Sequence, residues 1–222
     1  MRSLGPNLWV LDQPFKAGFL HLGTRTTIVK QSDGSLWIHS PGPHVRPLRE
    51  KVEALGPVGA LVAPNTMHHL FLGEAMELFP QARALASPGV DRKNPHLNLE
   101  NLSGQKWDDL EQLLVQGMHT LREFVFFHPA SGTLILTDLA FNMTVSEHFL
   151  TRVAMQLNAA YGRFGPSRLF GMLVSDRAQL KRSLEQIMEW PFRRVILAHG
   201  QVVEEDAAAV FREGFERKGW LR

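Results

Sequence analysis

Apolar residues along this chain fall in short blocks separated by Gly, Pro, Asn and Asp. That is the punctuation of strands and tight turns. Residues 8–11, 26–30 and 35–39 read as strands, with Asp33-Gly34 as the hairpin turn between the last two. A helix over 48–55 is closed by Gly56-Pro57, and 59–63 returns to strand. The loop Pro64-Asn65-Thr66-Met67-His68-His69 follows, then a helix over 70–78 halted before Pro80, and a strand over 82–86. Residues 88–108, rich in Pro, Asn and charge, read as surface loop. The second half repeats the style. Residues 123–128 and 133–138 form a hairpin around Pro129-Ala130-Ser131-Gly132, helices run over 146–161 and 178–190, a buried strand over 194–198, and a last helix over 204–218. In that helix Val210, Phe211 and Phe215 give an apolar stripe.

Both halves place strands first, then helix and strand. This suits two packed sheets, each covered outside by helices, although a doubly wound parallel sheet fits the same pattern. With 222 residues, 44% of them apolar, the chain has the length and the core for a single domain over residues 1–222.

Composition narrows the chemistry. Cysteine is absent, which excludes disulfides, thiolate metal sites and a cysteine nucleophile. A net charge of +2 from 24 basic and 22 acidic residues, with no long run of either sign, predicts no nucleic-acid partner. Arg25, Arg152 and Arg163 are read as solvated. Gly5, Pro6, Asn7 and Asp12 interrupt the opening segment, so it lacks the apolar region of a signal peptide, and no stretch approaches the length of a membrane span. The expectation is a cytoplasmic protein with no membrane partner, acting on a small-molecule substrate or ligand. The oligomeric state is left open.

Histidine is the main source of chemistry, with ten in the chain. A His-bearing loop after a strand (residues 61–72) is followed by Gly117-Met118-His119-Thr120, by Leu134-Ile135-Leu136-Thr137-Asp138 and by Val195-Ile196-Leu197-Ala198-His199-Gly200. In this order the segments resemble the metallo-β-lactamase superfamily, whose members carry an early Asp-x-Gly turn, a His-x-His-x-Asp-His loop, a Gly-His segment, a strand ending in Asp and a late Gly-His-Gly. Here Ser40 stands at the Asp of the early turn, with Gly42 kept. The resemblance runs from Leu8 to about Val203, and includes an uncharacterised branch with a Ser-Pro turn and a Pro-Asn-x-x-His-His loop. It implies a four-layer αββα sandwich.

The ligand loop departs from the family. With Gly73 as anchor, Asn65, Met67, His69 and Leu70 stand at its four donor positions; a shift of one residue brings in His68 instead but loses the glycine match. The resemblance then implies a single metal on His69, His119, Asp138 and His199, with His68 in reserve. Three imidazoles and a carboxylate suit one zinc, or a more open iron or manganese site. Asp138 is also the expected catalytic group that orients water, with His39 as an acid–base group nearby. If all four ligands bind at once no place remains for water, and the site is structural.

Two functions follow: a metal-dependent hydrolase with a reduced, mononuclear site, or a non-catalytic, metal-free ligand-binding or interaction protein on the same fold. A nucleotide binder lacks its glycine-rich turn, and a serine hydrolase lacks Gly-x-Ser-x-Gly.

Overall fold

Side chains along the strands alternate between two apolar environments, and that alternation builds the layers. The computed structural model describes residues 1–43 and 45–221. One sheet has seven strands, in the order Arg2–Gly5, Leu8–Gln13, Thr24–Lys30, Leu36–His39, Val58–Ala63, Arg83–Ala86 and Glu100–Asn101. Its first four strands pair antiparallel and the remainder parallel. A second sheet of four comprises Glu111–Leu114, Phe124–His128, Thr133–Ile135 and Arg194–Ile196, the last two parallel. Two sheets exclude the single doubly wound sheet.

Trp37, Val62 and Leu85 of the first sheet meet Phe124, Phe126, Ile135 and Ile196 of the second in a core between the sheets. Trp37 and Phe126 pack edge to face with ring centroids 4.7 Å apart. Such a pair adds ~0.5–1.5 kcal/mol beyond its burial. The alternate residues Leu36, Ile38 and Leu61 face outward under the helices Arg49–Glu53 and Leu72–Leu78. On the other side Val125, Phe127, Leu134 and Val195 lie under Phe149–Leu157, Arg177–Glu189 and Ala207–Glu216. The result is the α-β-β-α layering that the resemblance implied.

Several elements differ from the expectation. Residues 88–108 carry the helix Val90–Lys93 and the edge strand Glu100–Asn101. Backbone pairing holds that strand, so polar side chains cost it nothing, and Glu100 turns out to an ion pair with Arg83. The helix expected over 146–161 is only Phe149–Leu157, and Ala159 beyond it has a φ of 55°, which a helix cannot continue through. Strands Arg2–Gly5 and Glu111–Leu114, and the small hairpin Lys16–Ala17 with Leu20–His21, carry too little alternation to be read.

Arg25 is not solvated. It is 7% exposed and ties the halves together, its Nη1 donating to Leu197 O (2.6 Å), Nη2 to Gly200 O (2.8 Å) and Nε to Asp12 (2.6 Å). Among the described residues no helix is long and apolar enough to cross a membrane.

Candidate functional site

Two pairs of parallel neighbours set the site: Leu36–His39 beside Val58–Ala63 in one sheet, and Thr133–Ile135 beside Arg194–Ile196 in the other. Beyond their C-terminal ends the chain delivers Ser40, the loop at 64–69, Asp138 and His199. Ser40 turns the chain with a φ of 52°, its N–H donating to Val62 O and its carbonyl accepting from Thr26 Oγ1. Gly200, at a φ of 90°, lies so close to Asn142 that any Cβ would collide with the Asn142 carbonyl.

Asn65 organises the loop. Its Oδ1 accepts from the backbone N–H groups of Met67 and His68, both at 2.8 Å. This fixes the amide orientation and winds the chain so that His68 turns inward. Its Nδ2 then faces Glu123 Oε2 (3.1 Å), Thr137 Oγ1 (2.9 Å) and Asp138 Oδ2 (2.9 Å). Asn65 is therefore a scaffold amide, with its oxygen already committed to the loop.

Glu123, fully buried, accepts from the N–H of Thr137 (2.8 Å), Asp138 (2.9 Å) and Leu139 (3.0 Å) besides Asn65. It fixes the backbone from which Asp138 projects. Burial and the neighbouring Asp138 push the Glu123 carboxyl above its ordinary value, against the pull of those donors. Sequence reading passed this residue over. Its one signal is a charge placed directly before the apolar run Phe124 to Phe127.

At the centre, His68, Asp138 and His199 each offer one ligand atom within 4.8 Å of the others. His68 Nε2 lies 3.3 Å from Asp138 Oδ2, and His199 Nε2 lies 3.6 Å from Asp138 Oδ1. The outer ring nitrogens are held as well. His68 Nδ1 is 2.6 Å from Ser40 Oγ, and His199 Nδ1 is 2.7 Å from Gly23 O. Burial alone would raise the Asp138 carboxyl, but His68 and His199 outweigh it and hold that carboxyl well below the ordinary range. Burial works against a charge on His68, and Asp138 and Glu123 overcome it, raising its affinity for a proton.

The structure thus brings together a group that could hold a metal ion, and it is not the set the resemblance implied. Asp138 and His199 are in it. His68, the reserve, replaces His69, because the Asn65 turn directs residue 68 inward and leaves His69 half-buried against Asn94 Nδ2 at 3.0 Å. His119 is exposed, with its carbonyl accepting from Arg122 Nε, and is not brought to the group. His39 is likewise not a pocket residue. It shares strand parity with Trp37 and so points into the core between the sheets, stacked on Trp37 at 5.4 Å and edge-on to Phe126 at 5.5 Å. His39 Nε2 has no hydrogen-bond partner, and burial, with the nearby His68, pushes its pKa down to about 3. His128 binds Ser131 Oγ at 2.8 Å in its turn.

The three central residues and Ser40 line a cavity of about 300 Å³ whose other walls include Phe15, Leu22, Phe71, Phe141, Met155 and Phe170. Leu70 and Leu169, both exposed, line it as well and mark its mouth.

The family model for DUF4336, a domain of unknown function, matches residues 6–90. No curated protein matches the sequence. Among solved structures, a metallo-beta-lactamase from Pontibacter korlensis superposes at a TM-score of 0.65 with 12% identity, covering 97% of each chain. The metal-soaked Flv1 flavodiiron core from Synechocystis superposes at 0.71 with 11% identity, over 99% of this chain and 60% of that one. A metallo-beta-lactamase from Hirschia baltica gives 0.63 with 12% identity, over 95% and 94%. At such identities these likenesses establish the fold, a metallo-β-lactamase αββα sandwich.

Proposed function

We propose that the chain holds one divalent metal ion on His68, Asp138 and His199, and that it is a mononuclear metal-dependent hydrolase of a small molecule. The observation that carries this reading is the fixed tautomer of His199. A carbonyl only accepts, so the Nδ1 facing Gly23 O must carry the proton. In the neutral ring Nε2 then presents a lone pair to the Asp138 carboxylate at 3.6 Å. Nε2 and the carboxylate turn toward the same point, where a proton or a metal ion would sit between them.

The spacing suits the same reading. The two imidazole Nε2 atoms approach the two Asp138 oxygens at 3.3 and 3.6 Å, and one donor atom from each residue lies within 4.8 Å of the others, a spacing that one ion can draw together. The second ring nitrogens meet a carbonyl and a hydroxyl, the partners that orient metal-binding imidazoles. Three protein donors leave a position open, as a catalytic site requires and a closed four-ligand site does not.

When bound, such an ion supplies Lewis acidity, polarising a substrate carbonyl and acidifying water. With Nε2 turned to the ion, His68 Nδ1 would carry the proton and donate to Ser40 Oγ, which keeps the ring aimed at the centre. Asn65 holds Asp138 Oδ2, leaving Oδ1 on the His199 side. The apolar walls exclude bulk water and strengthen each charge interaction inside.

A second, metal-free reading rests on the raised proton affinity of His68: protonated, it forms an ion pair with Asp138 and the cleft serves as a binding site alone. Metal analysis of protein purified without chelator separates the two. We expect zinc, iron or manganese near one per chain, lost in His199→Ala and His68→Ala and kept in His69→Ala and His119→Ala. Protein that takes up no metal after supplementation would sink the hydrolase and favour the second reading.

A further inference from the structure

The walls of the cavity say more about the ligand than its polar end does. We infer that the site takes an uncharged acyl compound, a carboxylic ester or lactone, with its aliphatic chain in the cavity and its carbonyl at the His68–Asp138–His199 end. The proposal deepens the hydrolase reading and rests on it for the reaction, not for the binding.

Among the described lining residues Asp138 is the only carboxylate, His68 and His199 are the other ionisable groups, and there is no lysine or arginine. An anionic head would find no lysine or arginine in the lining, only the proposed metal ion, which Asp138 already faces. An uncharged carbonyl needs no such partner. Away from the polar end the surface is aromatic and aliphatic, with Phe15, Leu22, Phe71 and Phe141 from four separate segments converging on it. The apolar character continues outward, where Met67, Leu70 and Leu169 at the mouth are 42%, 64% and 52% exposed. Exposed apolar residues gathered at a cavity mouth mark a ligand that is itself apolar.

Size sets the chain length. At about 30 Å³ per non-hydrogen atom, the share of one water molecule, the space of about 300 Å³ holds about ten such atoms. That fits an acyl chain of roughly six to eight carbons with its ester group.

The reaction balances with water alone. Its hydroxyl bonds to the acyl carbon, the acyl C–O bond breaks, and the remaining proton goes to the departing alcohol oxygen. Nothing is oxidised or reduced.

The test is calorimetric titration of the full chain with methyl ketones from 2-butanone to 2-decanone, which mimic the carbonyl but are not hydrolysed. Affinity should rise about three- to fourfold per methylene, as expected for buried CH₂ groups, and level off near eight carbons. Leu22→Trp, which fills the cavity, should abolish the length dependence. Leu169→Asp, at an exposed position where folding is not at stake, should weaken long-chain binding selectively. Hydrolysis of p-nitrophenyl octanoate should exceed that of the acetate by tenfold or more, with bis(p-nitrophenyl) phosphate inert. Binding that ignores chain length, or turnover of the phosphodiester above the esters, would overturn the proposal. Length-dependent ketone binding by protein that takes no metal would leave the ligand class standing and remove only the hydrolase. Metal uptake without length dependence would do the reverse.

Discussion

Asn65 Nδ2 lies 2.9 Å from Asp138 Oδ2 and 3.1 Å from Glu123 Oε2, so one neutral amide donates toward two buried carboxylates. Asn65→Asp is nearly isosteric, yet it removes those donors and adds a third carboxylate. It should destabilise by ~3–5 kcal/mol at pH 7. Asn65→Ala, which only removes the amide, should cost about 2–3 kcal/mol. The gap should narrow at pH 5, where protonation of the new carboxyl restores a donor. Urea unfolding at the two pH values reads it; Asp tolerated better than Ala at pH 7 would contradict the network.

Glu123 offers only acceptors to its four N–H neighbours. Glu123→Gln turns one acceptor into a donor, which then faces a backbone N–H. A loss of about 2–4 kcal/mol is expected despite the matched volume. Because those N–H groups belong to the turn that carries Asp138, metal affinity should fall along with stability. A variant as stable as the parent would remove Glu123 from the scaffold.

Two substitutions at Ser40 separate its hydroxyl from its backbone. Ser40→Ala loses the contact to His68 Nδ1 while keeping a Cβ at a φ of 52°. Ser40→Gly loses the same contact but relieves the left-handed strain, so it should be the more stable by ~1 kcal/mol. If Ser40 acts by orienting His68, both variants should lose metal affinity equally, by about 10–100-fold. Thermal unfolding and metal titration on the pair would show whether the two effects divide this way.

Buried His39 binds a proton only near pH 3 in the folded chain, against an ordinary 6.5. Between those values the unfolded chain binds the extra proton. The stability this group contributes is therefore complete above about pH 6.5 and is lost as pH falls towards 3. His39→Leu removes the titration and the unpartnered buried Nε2 with it. Relative to the parent, the variant should gain about 2 kcal/mol between pH 7 and pH 5. Parallel stability profiles would show that His39 is not buried neutral.

How much of this could be read from the sequence depends on what each residue answers to. The layers could be, because alternation in Leu36 to Ile38 and Phe124 to Phe127 assigns each side chain to one core. Asp138 and His199 could be, because a polar residue ending an apolar strand leaves few places for its side chain. The choice between His68 and His69 could not. It is made by Asn65 Oδ1 capturing two backbone N–H groups, an event of loop geometry that residue spacing does not encode. His119 is exposed and lies outside the group for a comparable reason of turn geometry. His39 was placed near the chemistry by its position beside the Ser40 turn, and strand parity sends it the other way.

The bridge from Arg25 to Leu197 and Gly200 bears on folding order. His68 comes from the first half of the chain and His199 from the second, and their meeting depends on contacts as distant in sequence as that bridge, 172 residues. Such non-local closure comes late and slowly. A ligand held by both histidines exists only for the finished protein, so it acts as a thermodynamic latch. At a hundred times its Kd it adds about 2.7 kcal/mol against unfolding, and each further tenfold in its supply adds about 1.4 kcal/mol more.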